Sequence, residues 1–157
     1  MCQWEFLGVG SVGGQLDECN LGSRPNVCLR MIGNMPEPDY LKLVSECDVG
    51  LSLMVSPHPS LPPFDFAAAG LVTVTNSFAT KTPALLEEVS GNFIVAKPYV
   101  AELVEALRQS VARADNIAER KRHAKLKWPT KWDDPQCYGE PLLKRMRGWL
   151  KRKKKLW

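Results

Sequence analysis

A chain of 157 residues with 45% hydrophobic content is long enough for one domain with a real core, or one domain with an appendage. No apolar run approaches the ~20 residues that cross a bilayer. The start lacks the basic region and small-residue cleavage site of a signal peptide, and five widely spaced cysteines without a CxxC pair read as reduced, mostly buried thiols, not as a metal or redox site. The net charge of +4 conceals an asymmetry: residues 1–112 carry 6 Lys and Arg against 12 Asp and Glu, while residues 113–157 carry 15 against 5. This predicts an acidic folded body followed by a basic helical surface or tail that faces something anionic.

The first predicted element is a strand, Trp4–Val9, which runs into a loop of Gly8, Gly10, Gly13 and Gly14. Gly8, Gly10 and Gly13 have the G-x-G-x-x-G spacing. No acid follows about 20 residues on at the end of a second strand, so the dinucleotide signal is weak. Val27–Ile32 is the second predicted strand, followed by the turn Gly33-Asn34-Met35-Pro36. A helix is predicted from Glu37 to Cys47, with Pro38 in its first turn, where a missing N–H costs nothing. Its apolar stripe is Tyr40, Leu41, Leu43, Val44 and Cys47.

The third strand, Val49–Met54, leads into a Pro-rich loop holding Ser56, His58 and Ser60. Asp65 then opens a short helix, Phe64–Ala69, closed by Gly70 as a left-handed cap. Leu71–Thr75 is the fourth strand, Pro83–Val89 a helix, and Asn92–Ala96 the fifth strand. An amphipathic helix is predicted from Val100 to about Ala114, with Leu103, Val104, Leu107 and Val111 on one face. A further helix is expected from about Asp115 to Leu126, broken at Trp128-Pro129, and a last one from Pro141 to Leu150 before the basic tail Lys151–Lys155.

Short apolar strands that alternate with helices are the pattern of an α/β, Rossmann-like, doubly wound and mainly parallel sheet with C-terminal helices. The expected division is a Rossmann-like domain over residues 1–114 and a helical extension with a basic tail over 115–157. Ligands of such sheets lie outside the carboxyl ends of the strands. The run from Cys47 to Gly70 puts hydroxyls, an imidazole and a carboxylate at such an end, and is the candidate polar-ligand site.

The joints carry a resemblance. A strand ending in glycine, a helix running into Leu43-Val44-Ser45-Glu46-Cys47-Asp48, a strand, then S-P-H-P-S-L-P-P-F-D-F-A-A-A-G resembles the C-terminal half of a GT-B glycosyltransferase of the retaining, family-four-like group. It is most similar to the C-terminal domain of WsaF-type rhamnosyltransferases. The resemblance spans roughly Phe6 to Arg113. It implies a domain that binds a nucleotide-diphosphate sugar, dTDP- or UDP-linked, for surface polysaccharide synthesis, with the acceptor bound by a second domain outside this chain. It implies no metal, no cofactor and no obligatory protein nucleophile, so no catalytic residue is assigned. Sugar transfer is expected only once the acceptor domain is joined.

By resemblance, Asp65 takes the place of the acid that holds the nucleotide ribose, with the plain N-cap as its alternative. The sugar-contacting acid eight residues earlier is replaced by Pro57. His58 reads either as a contact to sugar or phosphate or as a structural loop histidine. Ser56 and Ser60 read as phosphate donors or as holders of the turns between prolines. Gly33 and Asn34 belong to the turn that reads the base. Asn76 and Lys81 follow the fourth strand, and Lys81 is the one Lys or Arg between Lys42 and Lys97. A diphosphate needs a cation, so Lys81 is the phosphate candidate, with a solvated loop lysine as the alternative.

The basic end, with Trp149, Leu150, Leu156 and Trp157 among its cations, suits an anionic membrane surface. The same composition suits nucleic acid, ranked below the membrane, or a plain solvated tail. A cytoplasmic protein, peripheral at the inner membrane face, is the expected location. The alternative to a donor-binding domain is a non-catalytic α/β module that kept the scaffold.

Overall fold

The computed structural model describes residues 4–10, 18–22, 27–56, 58, 60–127, 144, 147 and 148. The chain divides into two compact units, Met1–Glu46 and Cys47–Trp157. The break at Trp128-Pro129 and the basic tail lie outside the described residues. So does the helix expected over Pro141–Leu150, apart from residues 144, 147 and 148, which are helical.

The first unit holds β1 (Phe6–Val9), β2 (Glu18–Asn20), β3 (Cys28–Ile32) and α1 (Glu37–Ser45). Its sheet has the order β1-β3-β2, with β1 parallel and β2 antiparallel to β3. The antiparallel β2 was not expected: three residues, Glu-Cys-Asn, carry little strand propensity. Gly8 pairs with Met31, and a Cβ there would lie 2.5 Å from the Met31 Sδ. This glycine therefore makes room for a side chain, a packing role distinct from phosphate binding. Helix α1 starts at Glu37 as expected, with Pro38, Glu37 and Asp39 in its first turn. It closes at Ser45, two residues before the expected end, and of its stripe only Val44 is fully buried while Leu41 is exposed.

The second unit holds β4 (Val49–Ser52), α2 (Pro62–Ala69), β5 (Val72–Asn76), α3 (Pro83–Val89), β6 (Phe93–Ala96), α4 (Val100–Ala114) and α5 (Ile117–His123). Its sheet is wholly parallel in the order β4-β5-β6. All five residues of β5 are buried, as a central parallel strand requires. Helices cover both faces. On one, Phe64 and Ala67 of α2 meet Leu86 and Val89 of α3 and Phe93 of β6. The Phe64 and Phe93 rings meet edge to face at 5.6 Å. On the other face, Val74 and Ala96 pack against Ala106 of α4, flanked by Ile94, Leu103 and Leu107. The parallel, two-sided α/β arrangement is the Rossmann-like class expected from the alternation of elements.

In the second unit two helices differ from expectation in their bounds and one in its packed face. Helix α2 begins at Pro62, because two prolines fit its first turn, whose N–H groups would have no helical acceptor. Helix α5 is shorter than expected: Asn116 caps it by accepting the Glu119 N–H at 3.2 Å. On α4 the packed face is Leu103, Ala106, Leu107, Ser110 and Ala114, whereas Val104 and Val111 are 41% and 44% exposed. Small residues, not the valines, let this helix approach the sheet.

Gly70 closes α2 at φ 89° with the Leu71 N–H donating to Phe66 O, the left-handed cap expected of it. Helix α5 is bound to the sheet's amino-terminal end by polar groups. Arg120 donates from Nε to Gly70 O, from Nη1 to Asp48 Oδ1 and Ala114 O, and from Nη2 to Cys47 O. The buried Asn92 Nδ2 donates to Ala67 O and Arg120 O, and Ser90 Oγ donates to His123 O.

Candidate functional site

The carboxyl ends of β4 and β5 bring together several of the predicted side chains. The β4–β5 ladder closes at the pair Ser52–Thr75. Beyond it the Asn76 side chain continues the pairing. Met54 N–H donates to Asn76 Oδ1 at 2.8 Å, and Asn76 Nδ2 donates to Met54 O at 3.1 Å and to Ser77 O at 3.2 Å. The Asn76 amide is thus engaged with backbone on both its oxygen and its nitrogen, and it is 2% exposed.

Lys81 reaches the same carbonyl. A tight turn with paired Phe78 and Lys81 backbones turns the chain back after β5. The Lys81 ammonium then donates to Met54 O at 3.4 Å. Lys81 is 2% exposed, which overturns the solvated loop lysine. Among the described residues no carboxylate lies within ion-pair distance of it. Burial without an anion holds its pKa below the ordinary 10.5. A buried ammonium with one long hydrogen bond has donor capacity to spare.

Of the described residues from Ser56 to Leu61, Ser56, His58 and Ser60 are linked through side chains. Ser56 Oγ accepts the His58 N–H at 3.2 Å, and His58 Nδ1 accepts the Ser60 N–H at 3.0 Å. This geometry puts the imidazole proton on Nε2. His58 as a residue is exposed. Ser60 sits at φ 68°, a left-handed conformation that serine seldom takes. The Nδ1 of His58 therefore follows the structural alternative, whereas Ser56 Oγ serves the turn as an acceptor and keeps its O–H donor capacity.

Asp65 lies in the first turn of α2 and is half-buried. It is not the N-cap, a position that Leu61 occupies without a side-chain hydrogen bond. A carboxylate there is favoured by the helix dipole. The N-terminus of α2 is itself a poor anion site. Pro62 and Pro63 have no N–H, and the Phe64 and Asp65 N–H groups both donate to Leu61 O. Any phosphate at this end must draw on a side-chain cation.

Gly33 and Asn34 lie in the other unit, exposed in the turn between β3 and α1. Two features were illegible in the sequence. One is the Met54 peptide, on which Asn76 and Lys81 converge. The other is Thr75, whose buried Oγ1 has no hydrogen-bond partner among the described residues. Alternation along β5 could have placed Thr75 on the same face as Thr73, but not its missing partner.

The chain is 32% identical over 96 residues to the O-antigen biosynthesis protein RfbC of Myxococcus xanthus. That alignment covers 57% of this chain and 7% of the relative, so the chain spans a small part of the protein it matches. Residues 1–108 match the family described as WsaF, C-terminal domain. That match takes in both units and every residue of the strand-end cluster, and the chain belongs to the WsaF C-terminal domain family.

Proposed function

We propose that this chain is the donor-binding domain of a retaining glycosyltransferase that works in surface polysaccharide synthesis. It takes the nucleoside-diphosphate end of a deoxythymidine- or uridine-linked sugar. The observation that carries the reading is Lys81: an ammonium 2% exposed, without an ion pair among the described residues, at the carboxyl ends of two parallel strands. Retention of such a charge is costly unless something anionic visits it. In this reading Lys81 neutralises the diphosphate and stabilises it as it leaves the sugar. Asp65 accepts from the ribose hydroxyls, and His58 Nε2–H reaches the sugar or a phosphate oxygen. Family membership and the O-antigen relative support the reading. The acceptor is bound by another domain, so the isolated chain binds donor and does not turn it over. The work is cytoplasmic, with the basic tail held at the inner membrane face.

A second reading is a non-catalytic module that kept the scaffold. It is favoured by Pro57 in place of a sugar-contacting acid, and by Asn76 spending both its polar groups on backbone. Isothermal titration with UDP, dTDP and their sugars separates the two. The donor reading expects binding that Lys81→Met abolishes and Asp65→Asn weakens. A titration with no heat for any of these nucleotides would leave the scaffold reading standing.

A further inference from the structure

Asn76 carries chemistry that the donor reading does not use. It stands where the β4 backbone leaves the sheet, and its carboxamide reproduces the donor and acceptor of a missing peptide. Oδ1 takes the Met54 N–H at 2.8 Å and Nδ2 gives to Met54 O at 3.1 Å. The further bond from Nδ2 to Ser77 O at 3.2 Å orients the amide. The Met54 carbonyl therefore serves two donors, Asn76 Nδ2 and the Lys81 ammonium at 3.4 Å. Among the described residues no other hydrogen bond engages that ammonium. If the Met54 peptide turns, the ammonium loses its acceptor. A side chain that both accepts and donates over this span is a primary amide, and glutamine would overreach by one methylene.

We propose that Asn76 is a positioning residue: by fixing the Met54 peptide it sets where the Lys81 ammonium stands. The proposal rests on the donor-site reading for its purpose, though not for its geometry.

The test is competitive acetylation of the whole chain with trace acetic anhydride across pH. Lys81 and the exposed Lys97 are quantified by mass spectrometry in the same digest. Two variants are compared with the parent. Asn76→Asp keeps an acceptor for the Met54 N–H, removes the donor to the Met54 carbonyl, and sets a carboxylate beside the ammonium. It is expected to move the Lys81 pH profile upward, cutting its reactivity relative to Lys97 by about tenfold at a fixed alkaline pH. Asn76→Leu removes both bonds to the Met54 peptide and the one to Ser77 O, and is expected to raise Lys81 labelling, because the ammonium loses its tether. An unchanged Lys81 profile in Asn76→Asp overturns the proposal. Should Asn76→Leu show no cooperative unfolding, Asn76→Asp alone decides. A parallel titration with UDP and dTDP is expected to show weaker binding in both variants. If the parent binds neither nucleotide, the donor-site reading falls by itself, and the labelling profile still decides whether Asn76 positions Lys81.

Discussion

Replacing Arg120 by alanine tests how the basic half of the chain is attached to the acidic body. The guanidinium makes four bonds: to Gly70 O, Ala114 O, Cys47 O and Asp48 Oδ1. The first two are buried, and hydrogen bonds from a charged donor contribute about 1.5–3 kcal/mol each. Truncation also leaves those carbonyls without a donor. The Asp48 carboxylate is different: its side chain is 59% exposed, so its share of the ion pair is on the order of 1 kcal/mol or less. Arg120→Ala is therefore expected to cost about 3–5 kcal/mol, and Asp48→Ala below about 1 kcal/mol. Urea unfolding followed by far-UV circular dichroism measures both, with the change in midpoint read at constant slope. Arg120→Lys should recover little, since an ammonium cannot span three carbonyls in the fixed fork of a guanidinium. A loss for Arg120→Ala no larger than that for Asp48→Ala would refute the reasoning, because the carbonyl bonds would then contribute nothing.

Two glycines fail for opposite reasons. Gly50→Ala puts a Cβ 2.4 Å from Phe66 Cδ2 and 3.0 Å from Phe66 Cβ, so the α2–β4 contact must open, at about 1–3 kcal/mol in thermal unfolding. Gly70→Ala meets nothing nearer than 3.9 Å, yet φ of 89° makes alanine cost roughly 1–2 kcal/mol through the backbone alone. Lys81→Met should raise Tm at neutral pH while abolishing nucleotide binding. Below the lowered folded-state pKa, folded and unfolded chains both hold the proton and the burial cost stands in full. Between that pKa and 10.5 the folded chain releases its proton first, so parent stability rises and the gain from Met shrinks. Scanning calorimetry at neutral and alkaline pH reads the difference, and a gain that grows with pH would contradict the buried charge.

Much of the second unit was legible because its signals are local. Val49–Met54, Leu71–Thr75 and Asn92–Ala96 are short apolar runs between turn residues, and each is a strand within a residue or two. Gly70 announced its left-handed cap through the Ala-rich helix before it. β2 was not legible, since three weakly strand-forming residues are held by pairing with β3. The α4 face was misread because valines score as apolar, while close approach to the sheet selected Ala106, Ser110 and Ala114.

The candidate site divides in the same way. Composition singled out Lys81 as an isolated cation in an acidic body, and the joint motifs led to Asp65 and His58. Which of those groups remain open to a ligand was decided by tertiary contacts. Asn76 reads as a ligand contact in sequence, but its amide is consumed by a peptide 22 residues away. Arg120 sits in the basic stretch that reads as a helical surface facing something anionic, yet three of its four partners lie 50 and more residues earlier. Sequence alone determined the α/β class and the strand-end location of the polar cluster, because periodicity and turn chemistry act over a few residues. Only the tertiary structure decided which side chains are held by the fold and which stay available. A hydrogen bond depends on which backbone group arrives next to a side chain, and that is set by the packing of distant elements.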